Sequence, residues 1–239
     1  MSYVERFVVA VVKLGAVIEV EAKALAADLE LTPYEAKMKL ASGVPAIVLS
    51  TTDEDAAQKL GAGLRSRGSR AIVLRASAVV PIAKMIRVRS FQLESTGLAT
   101  DEDELPWSDI SCLVRARSRT QHDTTEVIKQ KKFDPVRAVA SGGLVMRSTQ
   151  KREVVTHHET SEQVLYMFRA SGETPWVLRE QGTNYSGLGP AAAATANLNI
   201  GIACDLIRAR ATGARFDDSL LRRHGVTDVD LFAHLIAAS

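Results

Sequence analysis

Phe7 to Leu14 reads FVVAVVKL, a near-continuous apolar run rich in Val, the pattern of a strand covered on at least one face. After Gly15 the period changes. Ile18, Ala22, Leu25, Ala26 and Leu29 recur at helical spacing with Glu19, Glu21, Lys23 and Asp28 between them, which predicts an amphipathic helix with a charged outer side. Thr32-Pro33-Tyr34-Glu35 is a new start signal, with a Thr cap, Pro at the first helical position and Glu at the capping-box position. A short second helix to about Ala41 follows, and then Val44 to Ser50 (VPAIVLS) supplies a strand. Thr51-Thr52-Asp53-Glu54-Asp55 repeats the start logic, with two hydroxyl caps each followed three residues on by an acid. The third helix carries Ala56, Ala57, Leu60 and Leu64 as its buried stripe, with Gly61 and Gly63 permitting close approach to a sheet. Arg70 to Arg75 is the next strand, giving the order β-α-α-β-α-β.

Ala76 to Pro81 reads as a junction, and the pattern beyond it is richer in strands. Strands are expected at Ile86 to Glu94, Ser111 to Arg119, Glu126 to Lys132, Gly143 to Ser148, Val164 to Ala170 and Trp176 to Arg179. In SCLVRARSR the parity sets Cys112, Val114 and Ala116 on one face and Leu113, Arg115, Arg117 and Arg119 on the other, so one side is expected buried and the other cationic. Gly182 to Pro190 is turn-rich, with Asn184, Gly187 and Gly189 expected to supply positive φ values. A long helix is expected from about Ala191, with Leu198, Ile202, Leu206 and Ala209 close to one face. Short helices are expected at Ser219 to His224 and Asp228 to Ala237.

Two resemblances attach to these patterns. The stretch LELTPYEAKMKLASGVPAIVLSTTDEDAAQKLGAGLRSRGSRAIVL, Leu29 to Leu74, has Glu35-Ala36-Lys37 in a short helix, an acidic Ala-rich helix entered at Asp53-Glu54-Asp55-Ala56, and Gly68 before the last strand. Through it, residues 1–76 resemble the C-terminal domain of the bacterial ribosomal stalk protein. In that family the first helices form a basic, Gly-containing surface that docks translation factors; here the equivalent region has Glu19, Glu21 and Asp28 beside Lys23, with Leu29-Glu30-Leu31 at the family's Gly-Leu-Gly turn. Gly97 followed by Leu105-Pro106-Trp107-Ser108-Asp109-Ile110 resembles bacterial pleckstrin-homology-like domains over residues 82–215, which implies an antiparallel β-rich fold, a Trp packing the sheet corner, and a closing helix. The expected class is therefore α+β: a stalk-like domain at 1–76, a β-rich pleckstrin-homology-like domain with a C-terminal helix at 82–215, and a helical tail at 216–239.

Composition narrows the function classes. The 239 residues carry 30 Lys+Arg against 28 Asp+Glu, a net charge of only +2, which excludes a histone-like polycation and a generally disordered chain. No apolar run approaches the ~20 residues of a membrane-crossing helix, and Met1 to Phe7 lacks a secretory layout, so a cytoplasmic location is expected. Cys112 and Cys204 lack neighbours at metal-ligand spacing, and reduced buried thiols are expected.

His157-His158-Glu159 is the most reactive-looking cluster, but adjacent residues on a strand point to opposite faces, and a solvated strand end is the simpler reading. The Gly182 to Pro190 loop lacks the Lys-Ser/Thr ending of a phosphate loop. Arg115, Arg117 and Arg119, with Lys129, Lys131 and Lys132, offer a cationic face for an acidic partner, and Lys23 and Lys37 lie on the exposed side of the first helices. Aromatic residues make up only 5% of the chain, so nucleic acid is not an expected partner. The reading is a non-catalytic interaction or scaffold protein with a protein partner, compatible with a homo-oligomer, needing no cofactor and no metal. A ribosome- or translation-associated factor is the alternative, and an enzyme using His157, His158 or the Gly182 to Pro190 loop is third.

Overall fold

The computed structural model describes residues 4–41, 43–133, 147–223 and 226–239, and the side chains outside 120–159. The chain divides into two compact units, Met1–Ser118 with Glu162–Ser239, and Arg119–Ser161. It is a mixed helix and strand protein of α+β class.

The first eighty residues fold in the expected order: β1 (Phe7–Lys13), α1 (Ile18–Leu29), α2 (Pro33–Ala41), β2 (Ala46–Thr51), α3 (Glu54–Ser66) and β3 (Arg70–Arg75). The strands form a three-stranded sheet in the order β2-β1-β3, with both pairings antiparallel. β1 is central, so its alternate residues Phe7, Val9 and Val11 meet Leu25, Leu40, Leu60 and Leu64 of the three helices. Each fully buried Leu contributes on the order of 2 kcal/mol.

The capping box is present: Thr32 N–H donates to Glu35 Oε2 at 2.9 Å and Glu35 N–H to Thr32 Oγ1 at 3.2 Å. At α3 the cap is not a hydroxyl. Asp53 accepts from Ala56 N–H at 3.0 Å, and Thr51 Oγ1 instead accepts from Asp53 N–H. An ionised cap at the positive end of the helix dipole is the stronger acceptor. Ala56, expected in the buried stripe, is exposed, and Gly61 is buried there with Ala57, Leu60 and Leu64. A Cβ on Gly61 would lie 2.6 Å from Val73 Cγ2, whereas Gly63 faces no strand so closely.

Glu21 departs from the expected polar side. It is 1% exposed, receives Arg67 Nε–H at 3.0 Å and Ser69 O–H at 3.1 Å, and Arg67 NH2 also lies 2.8 Å from Asp28. Ser69 Oγ in turn accepts from Gly15 N–H, so a buried polar chain ties the start of α1 to the turn before β3. Gly15 is obligatory there, because a Cβ would lie 2.3 Å from the carbonyl carbon of Gly68.

The junction after β3 is built from short 3-10 turns at Ala76–Ala78 and Ile82–Lys84. Beyond it come β4 (Ile86–Val88), β5 (Gln92–Leu93), β6 (Gly97–Ala99), β7 (Glu104–Pro106), β8 (Ile110–Phe133), β9 (Arg147–Arg169) and β10 (Trp176–Arg179). They are followed by α4 (Ala196–Arg210), β11 (Arg215–Asp217), α5 (Ser219–Arg222) and α6 (Val229–Ala237). The strand expected at Glu126 to Lys132 is part of the much longer β8, and most of Gly143 to Ser148 lies outside the described residues. Ile86 to Glu94 is broken into β4 and β5.

β5, β6 and β7 make a small antiparallel sheet, and a five-stranded sheet has the order β11-β8-β9-β10-β4. Where a mostly antiparallel run of strands is expected, the larger sheet is mixed: β9 and β10 pair antiparallel, but both edges, β4 on β10 and β11 on β8, pair in parallel. Its strands alternate between two cores. Leu113, Leu165, Met167, Trp176 and Leu178 face a cluster containing Ile200, Ala203, Cys204 and Ile207 of α4, while Cys112, Val114, Tyr166, Phe168 and Val177 share another with Val229, Ala233 and Ile236 of α6. β8 is therefore covered on both faces at its start, and the side expected to be cationic is buried at Leu113.

The helix expected from Ala191 begins at Ala196, where Thr195 Oγ1 caps Leu198 N–H; Ser186–Ala191 is instead 3-10. The preceding loop takes its positive φ values at Gly182 and Gly189, not at Asn184 or Gly187. Gly187 is needed for close approach, since a Cβ would overlap Phe91 O at 1.8 Å. Asn184 Oδ1 accepts from Ser186 N–H, an Asx turn.

Candidate functional site

α1 and α2 pack against each other and bury Ala22, Leu25, Ala26, Ala36 and Leu40. Their outer sides carry large apolar groups in water: Val17 is 67% exposed, Val20 59%, Tyr34 72% and Met38 55%. Val17 is the extended residue that caps α1 and Val20 lies in its first turn, while Tyr34 and Met38 are four apart on α2 and share a face. Lys37 Nζ reaches Glu19 Oε1 at 2.9 Å and bridges the two helices, and Lys23 stands exposed on α1. The region is thus apolar with a rim of both signs. Sequence reasoning placed partner binding here through the lysines and missed the apolar residues. Their signal was phase, because Val17, Val20, Tyr34 and Met38 fall outside the stripe that the core takes.

α1 ends where Glu30 adopts a left-handed conformation, φ 54° and ψ 38°, with its N–H donating to Ala26 O. This is the conformation for which glycine is normally used. The Leu29-Glu30-Leu31 turn therefore has a glycine-type geometry at a glutamate.

The cationic strand residues are separated by their surroundings. Arg115 is partly buried and donates through Nε at 3.1 Å and NH2 at 2.6 Å to Gln163 Oε1, beneath Gly201 of α4. Arg117 and Arg119 are exposed. Lys129, Lys131 and Lys132, with His157, His158 and Glu159, lie outside the described side chains. Arg115 is thus engaged with Gln163, and Arg117 and Arg119 are the exposed arginines of this strand among the described residues.

A second polar grouping lies where β9 meets β10. Glu162 is buried and accepts from the Arg179 guanidinium and from Gln181 N–H at 3.1 Å. Glu180 accepts from Gln163 N–H at 2.9 Å, and the Tyr185 hydroxyl donates to Arg179 O at 2.9 Å. Burial raises the proton affinity of Tyr185, and the Glu180 and Glu162 charges add to it, so its hydroxyl stays a hydrogen-bond donor. These groups satisfy one another. Burial likewise pushes the Cys204 thiol up to about 11 and raises that of Cys112, which keeps both protonated as packing residues. Trp107 packs in the α4-side core and donates its indole N–H to Glu94 O at 3.1 Å.

A polar cavity of about 730 Å³ is lined by Arg87, Arg89, Ser90, Thr100 and Asp101 to Asp103. Ser90 O–H donates to Asp101 at 2.8 Å and Arg87 to Gln181 O at 3.1 Å, so the lining is braced from within. Among the described residues no group of three His, Cys, Asp or Glu side chains is placed to hold a metal ion. Among them, too, no helix is long and apolar enough to cross a membrane.

No family model matches the chain, and neither a curated protein nor a solved structure matches it significantly.

Proposed function

We propose that the protein works as an interaction or scaffold protein that engages a protein partner through the outer side of α1 and α2. The observation that carries this reading is the exposure of Val17, Val20, Tyr34 and Met38 on two helices locked to one sheet. Exposed large apolar groups gathered on rigid elements gain most when a partner removes them from water. The mixed rim of Glu19, Lys23 and Lys37 would orient such a partner. The test is photo-crosslinking in cells from a residue installed at Tyr34, with the same group at the exposed Glu102 as control. A discrete protein adduct from position 34 and none from position 102 is expected. No adduct from position 34, or equal adducts from both, would overturn the reading.

A second reading rests on the order β-α-α-β-α-β, which is the order the stalk-domain resemblance implies. On this reading residues 1–76 are a stalk-like module, joined to a pleckstrin-homology-like one at 82–215, and the partner belongs to translation. Co-sedimentation of the full chain with ribosomes at low salt distinguishes the two readings, and its failure would sink the second.

A further inference from the structure

His234 stands in the last turns of α6 with both ring nitrogens committed to main-chain groups. Nδ1 lies 2.8 Å from Asp230 O, one turn back, and Nε2 lies 3.1 Å from Val80 N. An amide N–H can only donate, so Nε2 is the acceptor and Nδ1 carries the proton that Asp230 O receives. Two residues on, the same connecting segment is held again: Ile82 N–H donates to Asp230 Oδ2 at 2.8 Å, while Tyr166 O–H of β9 donates to Oδ1 at 2.8 Å. The chain leaving the β1–β3 module is thus fastened to α6 by one imidazole and one carboxylate. Phe168 packs edge-on against the ring at 4.9 Å.

We propose that His234 is an acid-sensitive latch for the segment Val79 to Ile82, which joins the β1–β3 module to the larger sheet. A protonated ring has hydrogen on both nitrogens, so Nε2 would meet the Val80 N–H donor to donor and that bond must open. Asp230 holds Ile82 through a carboxylate and does not share this requirement.

The groups facing the ring are few. α6 offers Asp228 and Asp230, whose charges favour the imidazolium; β9 offers the Phe168 ring and, through Asp230, the Tyr166 hydroxyl; the segment itself offers only main chain. Arg6, ahead of β1, shares with Asp228 and Asp230 the lining of a cavity of about 360 Å³ that His234 does not line. Burial outweighs the two aspartates and holds the ring's proton affinity below the ordinary histidine value. With the folded value lowered, the latch is intact above the ordinary histidine range and is lost as pH falls through and below it.

Amide hydrogen exchange on the full chain, compared at about pH 7.5 and about pH 5 and corrected for intrinsic rates, tests this. Protection at Val80 should fall about fivefold, the worth of one hydrogen bond, while Ile82 and the β1 amides hold. In His234→Phe, which keeps a ring against Phe168 but cannot accept, Val80 should be weakly protected at both pH values. The ring 15N shifts of the unaltered protein supply a second readout and should report the Nδ1–H tautomer at neutral pH. Equal Val80 protection at the two pH values, a parallel loss at Val80, Ile82 and β1, or an Nε2–H tautomer would overturn the proposal.

Discussion

Removing the Glu21 carboxylate should be among the most damaging single changes in the β1–β3 module. The side chain is 1% exposed and holds three groups: Arg67 Nε at 3.0 Å, Arg67 NH2 at 3.0 Å and Ser69 Oγ at 3.1 Å. Breaking a fully buried ion pair costs roughly 3–5 kcal/mol because the surviving charge is stranded. Arg67 is not stranded completely, since it keeps Asp28 at 2.8 Å and its side chain is 28% exposed. Those two outlets bring the expected cost of Glu21→Ala to about 2–3 kcal/mol. Glu21→Gln, which retains an acceptor for Arg67 and Ser69, should cost about half as much. Native-state hydrogen exchange on α1 and β3 amides reads the loss locally, without requiring the whole chain to unfold in one step. A cost below about 1 kcal/mol for Glu21→Ala would refute the reasoning and make this network incidental to stability.

Three further outcomes follow from the same geometry. Glu30→Gly should stabilise the module by about 0.5–1 kcal/mol, because it relieves a left-handed residue at the end of α1; a lower urea midpoint than the unaltered protein would contradict this. Trp107→Phe should cost about 1–2 kcal/mol more than Trp176→Phe: the first loses an indole bond to Glu94 O, whereas the buried Trp176 N–H has no hydrogen-bond partner among the described residues, and the reverse order in urea titrations would be contrary. Asp109 is partly desolvated, which raises its proton affinity, but Ser171 and Arg169 outweigh that and leave it lowered. Its contribution is therefore present above the ordinary aspartate range and lost as pH falls below it, so the gap between Asp109→Asn and the unaltered protein should close on acidification; a gap unchanged from neutral pH to about pH 3 would argue against these bonds.

Local signals were legible where one stretch of chain decides the structure. The capping box at Thr32 and Glu35, the helical stripe through Leu25 and the strand Phe7–Lys13 are dictated by nearest neighbours, and they form as the pattern predicts. Features decided by distant residues were not legible. Glu21 looks like a surface acid until Arg67 and Ser69, 46 and 48 residues away, arrive to pair with it. Arg115 reads as part of a cationic face until α4 approaches it and Gln163 accepts from two of its nitrogens, Nε and NH2. The exposed apolar side of α1 and α2 fell between these cases. Val20 and Tyr34 are visible in the sequence, but only the placement of the core shows that the core does not use them.

The parallel edges of the five-stranded sheet also govern the order in which the protein can be completed. A module spanning residues 4–75 has all of its strands in hand early in synthesis, and chains fold from the N-terminus as they emerge. The larger sheet is completed late: β4 waits for β10, some ninety positions later, and Cys112–Val114 of β8 wait for Arg215–Asp217. An unpaired strand edge is a template for the wrong neighbour. A chain stopped before Arg215 would therefore carry a complete β2-β1-β3 sheet and an unfinished, adhesive larger one, and its fault would be aggregation rather than simple loss of stability.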